Sequence, residues 1–166
     1  MTELLFQTDS YLHEFDHITL VRLLLARYQC DRANGSISEA VELLERLLKA
    51  AEEGGRKGSA IEILILQAIA YHAQGNLPAA LLPLQHALAL AEPEGYVRIF
   101  LDEGESMRQL LCEASKRKIM SDYTEKLLSA FEAEKRKSED KPDLPPAQLL
   151  IESLSQRELK ILQLIA

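Results

Sequence analysis

The sequence predicts an all-α chain of helical hairpins repeated in tandem and stacked as a solenoid, followed by a linker and the start of a second domain. Three observations carry this. Apolar residues recur at three- and four-residue spacing almost throughout, and no stretch sustains the period-two alternation of a strand. The sequence coincides with itself when displaced by 40 residues. Beyond residue 135 the apolar pattern gives way to charge and proline.

Taken in order, the first helix is expected over 14–31, where "ITLVRLLLARY" is apolar on much of its surface. The second, 38–53, places Val41, Leu44, Leu47, Leu48 and Ala51 on one stripe and Glu42, Glu45, Arg46 and Lys49 opposite. Ser38 suits its N-cap, and Gly54-Gly55 its end. The third, 58–74, contains "AIEILILQAIAY"; isoleucine favours strands, but the length and the "AQGN" terminator favour a buried helix. The fourth covers 77–91. A degraded third unit follows as Tyr96–Asp102, a break at Gly104, and Glu105–Lys118. A final helix, Asp122–Lys135, has Ser121 as its expected cap.

The 40-residue displacement puts Leu24 on Leu64, Ala33 on Ala73, Gly35 on Gly75 and Ala40 on Ala80. It also puts Leu44 on Leu84, Leu48 on Leu88, Ala51 on Ala91, Glu52 on Glu92 and Gly55 on Gly95. Each unit therefore reads as helix, turn through Ala-x-Gly, helix and glycine stop. Such a unit cannot bury both its faces alone, so units stack. The arrangement resembles tetratricopeptide-type repeats, with a longer period. Solenoids carry polar capping repeats, whereas the first helix here is apolar, so the array is expected to begin upstream of Met1 or to have been cut from a longer one.

Composition narrows the function. The chain has 166 residues, 47% hydrophobic and 27% charged, which fits a soluble globular chain. No run approaches ~20 apolar residues, and "MTELLFQTDS" lacks the basic-then-apolar order of a signal peptide. Two distant cysteines, Cys30 and Cys112, suit free thiols in a reducing cytoplasm. A net charge of −7 argues against a broad nucleic-acid-binding face. From Lys135 onward six Lys or Arg stand against five Asp or Glu, which leaves −8 on residues 1–134.

In "EKRKSEDKPDLPPAQLL", Pro142, Pro145 and Pro146 stop any helix, which marks residues 136–150 as a linker. The closing "LSQRELKILQLIA" then opens a new helix. Ser155 and Glu158 have capping-box spacing, and Leu154 is placed to staple onto Leu159. Leu159, Leu162 and Ile165-Ala166 form its apolar face.

This stretch resembles the first helix of the helix-turn-helix domain of LuxR-type transcription regulators. Leu154, Ser155, Arg157, Glu158, Leu162, Leu164, Ile165 and Ala166 match that pattern, and Ile161 is a conservative fit. Separately, "AEPEGYVRIFLDEGESMRQLL" is similar to the segment closing the repeat domain in the large, ATP-dependent MalT-like branch. Its matching residues are Glu94, Gly95, Tyr96, Arg98, Phe100, Asp102, Glu103 and Gly104.

The resemblance implies a repeat domain over 1–135, the linker 136–150, and over 151–166 the first helix of a truncated helix-turn-helix domain. It further implies a cytoplasmic sensor that binds a small-molecule inducer or a protein effector and reaches DNA only through the missing remainder of that domain. ATP belongs to an N-terminal part absent here; no G-x-x-x-x-G-K-[ST] loop is present, so neither a cofactor nor an enzyme activity is expected of this chain. Ser155, Arg157 and Glu158 are assigned to capping and packing rather than base contact. The alternative is a freestanding interaction module of the same repeat type.

Other polar groups read as structural. Arg98 is expected to pair across a turn, and Asp102 and Glu103 to cap the next helix. His13 and His17 have metal-ligand spacing but no third Cys or His nearby, so they read as surface residues. His72 and His86, on two helices of one hairpin, are expected to serve ordinary packing. Gly54, Gly55 and Gly58 around Arg56-Lys57 suggest an anion loop less than an inter-repeat turn. "EKRK", Glu134–Lys137, reads as a solvated helix end. No ligand-binding residue can be assigned from the sequence.

Overall fold

The computed structural model describes the backbone of residues 2–31 and 34–139 and the side chains of residues 14–30 and 35–137. Two units are distinguished, Met1–Phe131 and Glu132–Ala166. Among the described residues every regular element is helical: α1 (Thr2–Asp31), α2 (Asn34–Glu53), α3 (Lys57–Ala73), α4 (Leu77–Ala91), α5 (Arg98–Leu101), α6 (Gly104–Lys116) and α7 (Ser121–Glu139). None is long and apolar enough to cross a membrane.

The helix ends explain the repeat length. Gly55, Gly75 and Gly95 have φ of +64°, +77° and +70°, the left-handed conformation that glycine adopts without a Cβ penalty. Each closes its helix with the same pair of bonds. Gly55 N–H donates to the Glu52 carbonyl and Arg56 N–H to that of Ala51. Gly75 and Asn76 do this to His72 and Tyr71, and Gly95 and Tyr96 to Glu92 and Ala91. Successive stops lie 20 residues apart, so a hairpin occupies 40. Asn76 then caps α4, its side chain accepting from Ala79 N–H at 3.3 Å, with Pro78 in the first turn where no N–H is needed.

Several helix limits differ from the sequence reading, most by one or two residues, and four of the differences matter here. α1 begins at Thr2 rather than residue 14, and α2 at Asn34, so Ser38 lies inside α2 instead of capping it. Gly35 is helical, unlike Gly75, its counterpart in the displaced sequence. α7 starts at Ser121, and Thr124 N–H donates to the Met120 carbonyl, which places the cap position at Met120. At its other end α7 runs to Glu139, four residues past the expected stop.

Within Met1–Phe131, α3 is the central element and touches α1, α2, α4 and α6. The first helices of successive units therefore form one layer, α1 against α3 and α3 against α6, with α2 and α4 behind it. Val21, Leu44, Ile61, Leu84, Leu88 and Leu110 are wholly buried between these elements. Ala40 and Ala80, two of the small residues expected at helix crossings, are wholly buried as well; Ala73 is partly buried and Ala33 lies outside the described residues. The ring of Tyr123 meets Phe100 edge-on at 6.2 Å, and its hydroxyl donates to the Tyr96 carbonyl. Thr124, also buried, donates to the Ile119 carbonyl. Together they seat the start of α7 on α5 and the turn before it.

In the unit Glu132–Ala166 the described residues continue α7 to Glu139, with Arg136 4.0 Å from Glu132 one turn away. The closing helix with Ser155, Arg157 and Glu158, and the prolines of the linker, lie outside the described residues.

Candidate functional site

The layer formed by α1, α3 and α6 carries two groups of polar side chains within Met1–Phe131. The first centres on Arg22 of α1. Its guanidinium donates from Nη2 to Glu103 Oε1 at 2.6 Å and from Nη1 to Glu103 Oε2 at 3.0 Å, a two-pronged pair. Nη2 also reaches Glu62 Oε1 of α3 at 3.0 Å. Arg22 and Glu62 are 40 residues apart and so hold the same position in successive hairpins. One cation thus ties together all three repeat units. The Glu103 carboxylate is nearly buried, and its hydrogen bonds hold the Arg22 guanidinium above its usual value despite the opposing effect of burial.

A second polar tie lies at the end of the α2 helix. Arg56 donates from Nε and Nη2 to Glu14 Oε2 at 3.0 and 2.6 Å, and from Nη2 to the Ala50 carbonyl at 3.0 Å. It satisfies a buried acid and shares the Ala50 carbonyl near the helix end with Gly54 N–H. Lys57 lies 3.4 Å from Glu94, in the turn after α4. The basic pair between the glycines is therefore committed to acids of the repeat array, in agreement with a turn rather than an anion loop.

About two turns along α1 from Arg22, a cleft of about 320 Å³ opens between Tyr28 and Gln29 of α1, Ile69, His72 and Ala73 of α3, the Gly75 turn and Ser106 of α6. Its lining offers phenol, amide, imidazole and hydroxyl groups beside an apolar flank. No carboxylate, ammonium or guanidinium lines it. Near the cleft, Glu113 of α6 accepts a hydrogen bond from Lys116, which holds its carboxyl below the usual value. Such a lining can hold a small uncharged molecule by hydrogen bonds and one apolar contact.

The residues singled out in the sequence separate accordingly. Arg98 does pair with an acid, Asp102, at 2.7 Å. Glu103 does not cap α6: no side-chain bond is made at that helix start, because the carboxylate is drawn to Arg22. Both of its oxygens lie where the guanidinium fork needs them. His72 lines the cleft, whereas His86 is exposed on α4. His17 is exposed and the side chain of His13 lies outside the described residues. Among the described residues no group of three or more His, Cys, Asp or Glu is placed to hold a metal. Cys30 is exposed and Cys112 partly buried, both as free thiols. Lys135–Lys137 are exposed on α7.

Arg22, Glu62 and Glu14 were not singled out by motif. Opposite charges at the same repeat position, 22 and 62, were the available signal. Glu14 falls on the buried stripe of α1 with Ile18, Val21 and Leu25, and an acid at such a position was its signal.

No curated protein and no solved structure matches the chain. The family model for the MalT-like TPR region matches residues 2–117, which contain α1 to α6, the Arg22 tie and the cleft. The chain therefore belongs to the family of MalT-like TPR regions.

Proposed function

We propose that the chain is the helical-repeat sensor part of a bacterial LuxR/MalT-like transcription regulator, acting on an attached DNA-binding domain. The observation that carries this reading is the pairing of a MalT-like repeat region over residues 2–117 with the closing "LSQRELKILQLIA". On this reading the repeat layer receives a small inducer or a protein effector in the cytoplasm, and the cleft beside His72 is the position for a small one. The chain is a binding element, not an enzyme, and carries no cofactor. The expected linker, 136–150, whose first four residues belong to α7, passes the change to the output domain. Ser155, Arg157 and Glu158 begin that domain by capping and packing its first helix, and reading DNA falls to other helices of such a domain.

Mechanistically, a ligand wedged between α1, α3 and α6 changes the angle between hairpins only by as much as it binds one angle better than another. The Arg22 tie spans the same three units, so it sets the free energy against which a ligand works.

The test is a chain continued through the natural sequence by about 50 residues, enough for a three-helix DNA-binding domain. It is expected to bind duplex DNA with an affinity that falls steeply as salt rises, whereas residues 1–166 alone do not. An extended chain with no affinity for DNA at low salt would sink the regulator reading and leave the interaction module.

A further inference from the structure

The Arg22 tie and the cleft occupy one groove. On α1, Gln29 of the cleft follows Arg22 by seven residues, and on α3, Ile69 follows Glu62 by seven. Seven residues are close to two turns, so each pair shares a helix face, about 10 Å apart along the axis. The first turn of α6 borders both levels. Glu103, just ahead of it, takes the Arg22 fork, and Ser106, three residues on, lines the cleft. Between them Gly104 turns the chain at a φ of +65°.

Two kinds of contact hold this turn, and they act in different directions. Met107, Leu110, Leu111 and Ala114 are wholly buried, and α6 packs on α3 and α4. Toward α1 the Arg22–Glu103 pair supplies an ionic bond. The apolar set keeps α6 in the array when that pair is broken, whereas the pair fixes how far the turn stands from α1. Glu103 makes no cap bond at the helix start, so its side chain serves the pair. Its carboxylate is only 8% exposed; parted from the guanidinium it is short of both partner and water, and it relaxes by moving outward. Arg22 is 43% exposed, which leaves the pair open to screening by salt.

We propose that the Arg22–Glu103 pair is a latch on the cleft. Closed, it holds Ser106 against the walls formed by Gln29 and Ile69; open, it lets the first turn of α6 swing away from α1 and widens the space. Arg22 is then a positioning residue for a site that it does not line. A small uncharged ligand matched to about 320 Å³ binds the latched form, and a larger one binds only as the latch opens. The proposal rests on the reading of the cleft as the ligand position and deepens it, without relying on the DNA-binding output.

The test uses residues 1–166 with Cys30→Ser and Cys112→Ser. Nitroxide labels go on Ala26→Cys of α1 and Gln109→Cys of α6, both exposed positions, and a reference pair on Gln85→Cys of α4 and Gln109→Cys. Pulsed electron spin resonance reads each distance. Arg22→Gln is expected to lengthen or broaden the α1–α6 distance by at least about 2 Å, the scale of a helix shift at an interface, and to leave the α4–α6 distance unchanged. Sodium chloride at about 1 M, where the screening length is ~3 Å, should do the same to the parent and nothing further to Arg22→Gln. Arg22→Lys should fall between the two, since a point charge keeps the attraction without the fork.

In a second readout, uncharged N-ethylmaleimide should modify Ser106→Cys at least about threefold faster in the Arg22→Gln background, with no such change at the buried Leu88→Cys. An α1–α6 distance that neither Arg22→Gln nor salt moves would overturn the proposal. So would equal changes at Leu88→Cys or in the α4–α6 pair, because the array would then be loosening as a whole. The salt series on the parent decides the matter if Arg22→Gln does not fold. An extended chain that fails to bind DNA would leave these distances untouched, so the latch and the regulator reading fail separately.

Discussion

Arg22 and Glu103, 81 residues apart, meet through two parallel hydrogen bonds of 2.6 and 3.0 Å, and the same guanidinium holds Glu62 at 3.0 Å. A fork-to-carboxylate pair gains strength from geometry as well as charge. Arg22 is itself partly exposed, so solvent screens part of that gain. Its removal leaves the Glu103 carboxylate nearly buried without its partner. Arg22→Ala is expected to cost about 1–2 kcal/mol of unfolding free energy, and Arg22→Lys a large part of that, because a point charge cannot reproduce the fork. A double-mutant cycle with Glu103→Gln in denaturant titration checks it; a coupling indistinguishable from zero would remove the tie from the account.

Lys118 closes α6 with the bond pair that glycine makes elsewhere, its N–H donating to the Ser115 carbonyl and that of Ile119 to Ala114, at a φ of +56°. A side chain in this conformation pays for its Cβ. Lys118→Gly is therefore expected to raise stability by about 0.5–1 kcal/mol, and Gly75→Ala, at φ +77°, to lower it by about 1 kcal/mol. The two variants should move the thermal midpoint in opposite directions.

Gly54 supports the second tie. A Cβ there would lie 2.1 Å from Nη1 of Arg56, so the guanidinium that holds Glu14 must shift. Gly54 has an ordinary backbone conformation, and alanine favours helix, so local propensity alone predicts a gain. Displacement of Arg56 from a buried carboxylate outweighs it, and Gly54→Ala is expected to lose about 1 kcal/mol. In an Arg56→Ala background the sign should reverse, which chemical denaturation of the two pairs would reveal.

Tyr123 carries the pH dependence at the alkaline end. Burial, with a smaller contribution from Glu92, pushes its phenol from 10.0 to about 12. A folded value above the unfolded one means the folded state holds its proton longer. The stabilisation is fully present below pH 10.0 and is lost as pH rises through about 12. Ultraviolet titration should show one of the five tyrosines ionising last, and Tyr123→Phe should remove that step. The loss of the bond to the Tyr96 carbonyl is expected to cost Tyr123→Phe about 1 kcal/mol near neutral pH.

The helices were largely legible because burial of a helix face leaves a periodic stripe in the chain itself. α4 was read with its ends at Leu77 and Ala91, where Asn76 and Pro78 mark the start and Gly95 follows the stop. Where the reading missed, the local signals competed. Ser38 is a good cap in isolation, but α2 already begins at Asn34, and Ser121 is displaced from its cap by a single residue. The candidate site was much less visible. Arg22, Glu62 and Glu103 lie on three elements, and the cleft draws on α1, α3, the Gly75 turn and α6. No local pattern encodes which side chains of separate helices will share a surface.

By itself the sequence determined the helical class, the 40-residue hairpin and the kinship of residues 2–117 with MalT-like repeats. These follow from apolar spacing, from glycines that take the left-handed stop without a Cβ penalty, and from the run between Glu94 and Gly104, all of which are local properties. The tertiary structure decided which charged residues are ties rather than surface. Glu103 could cap a helix or pair with a distant arginine, and only the stacking of α6 on α3 and α3 on α1 brings Arg22 within 2.6 Å of it. It also decided which of two helices with apolar residues at matching positions is finished. Leu23 and Ile63 occupy the same place in the repeat, and only the hairpin packed ahead of α3 buries one of them.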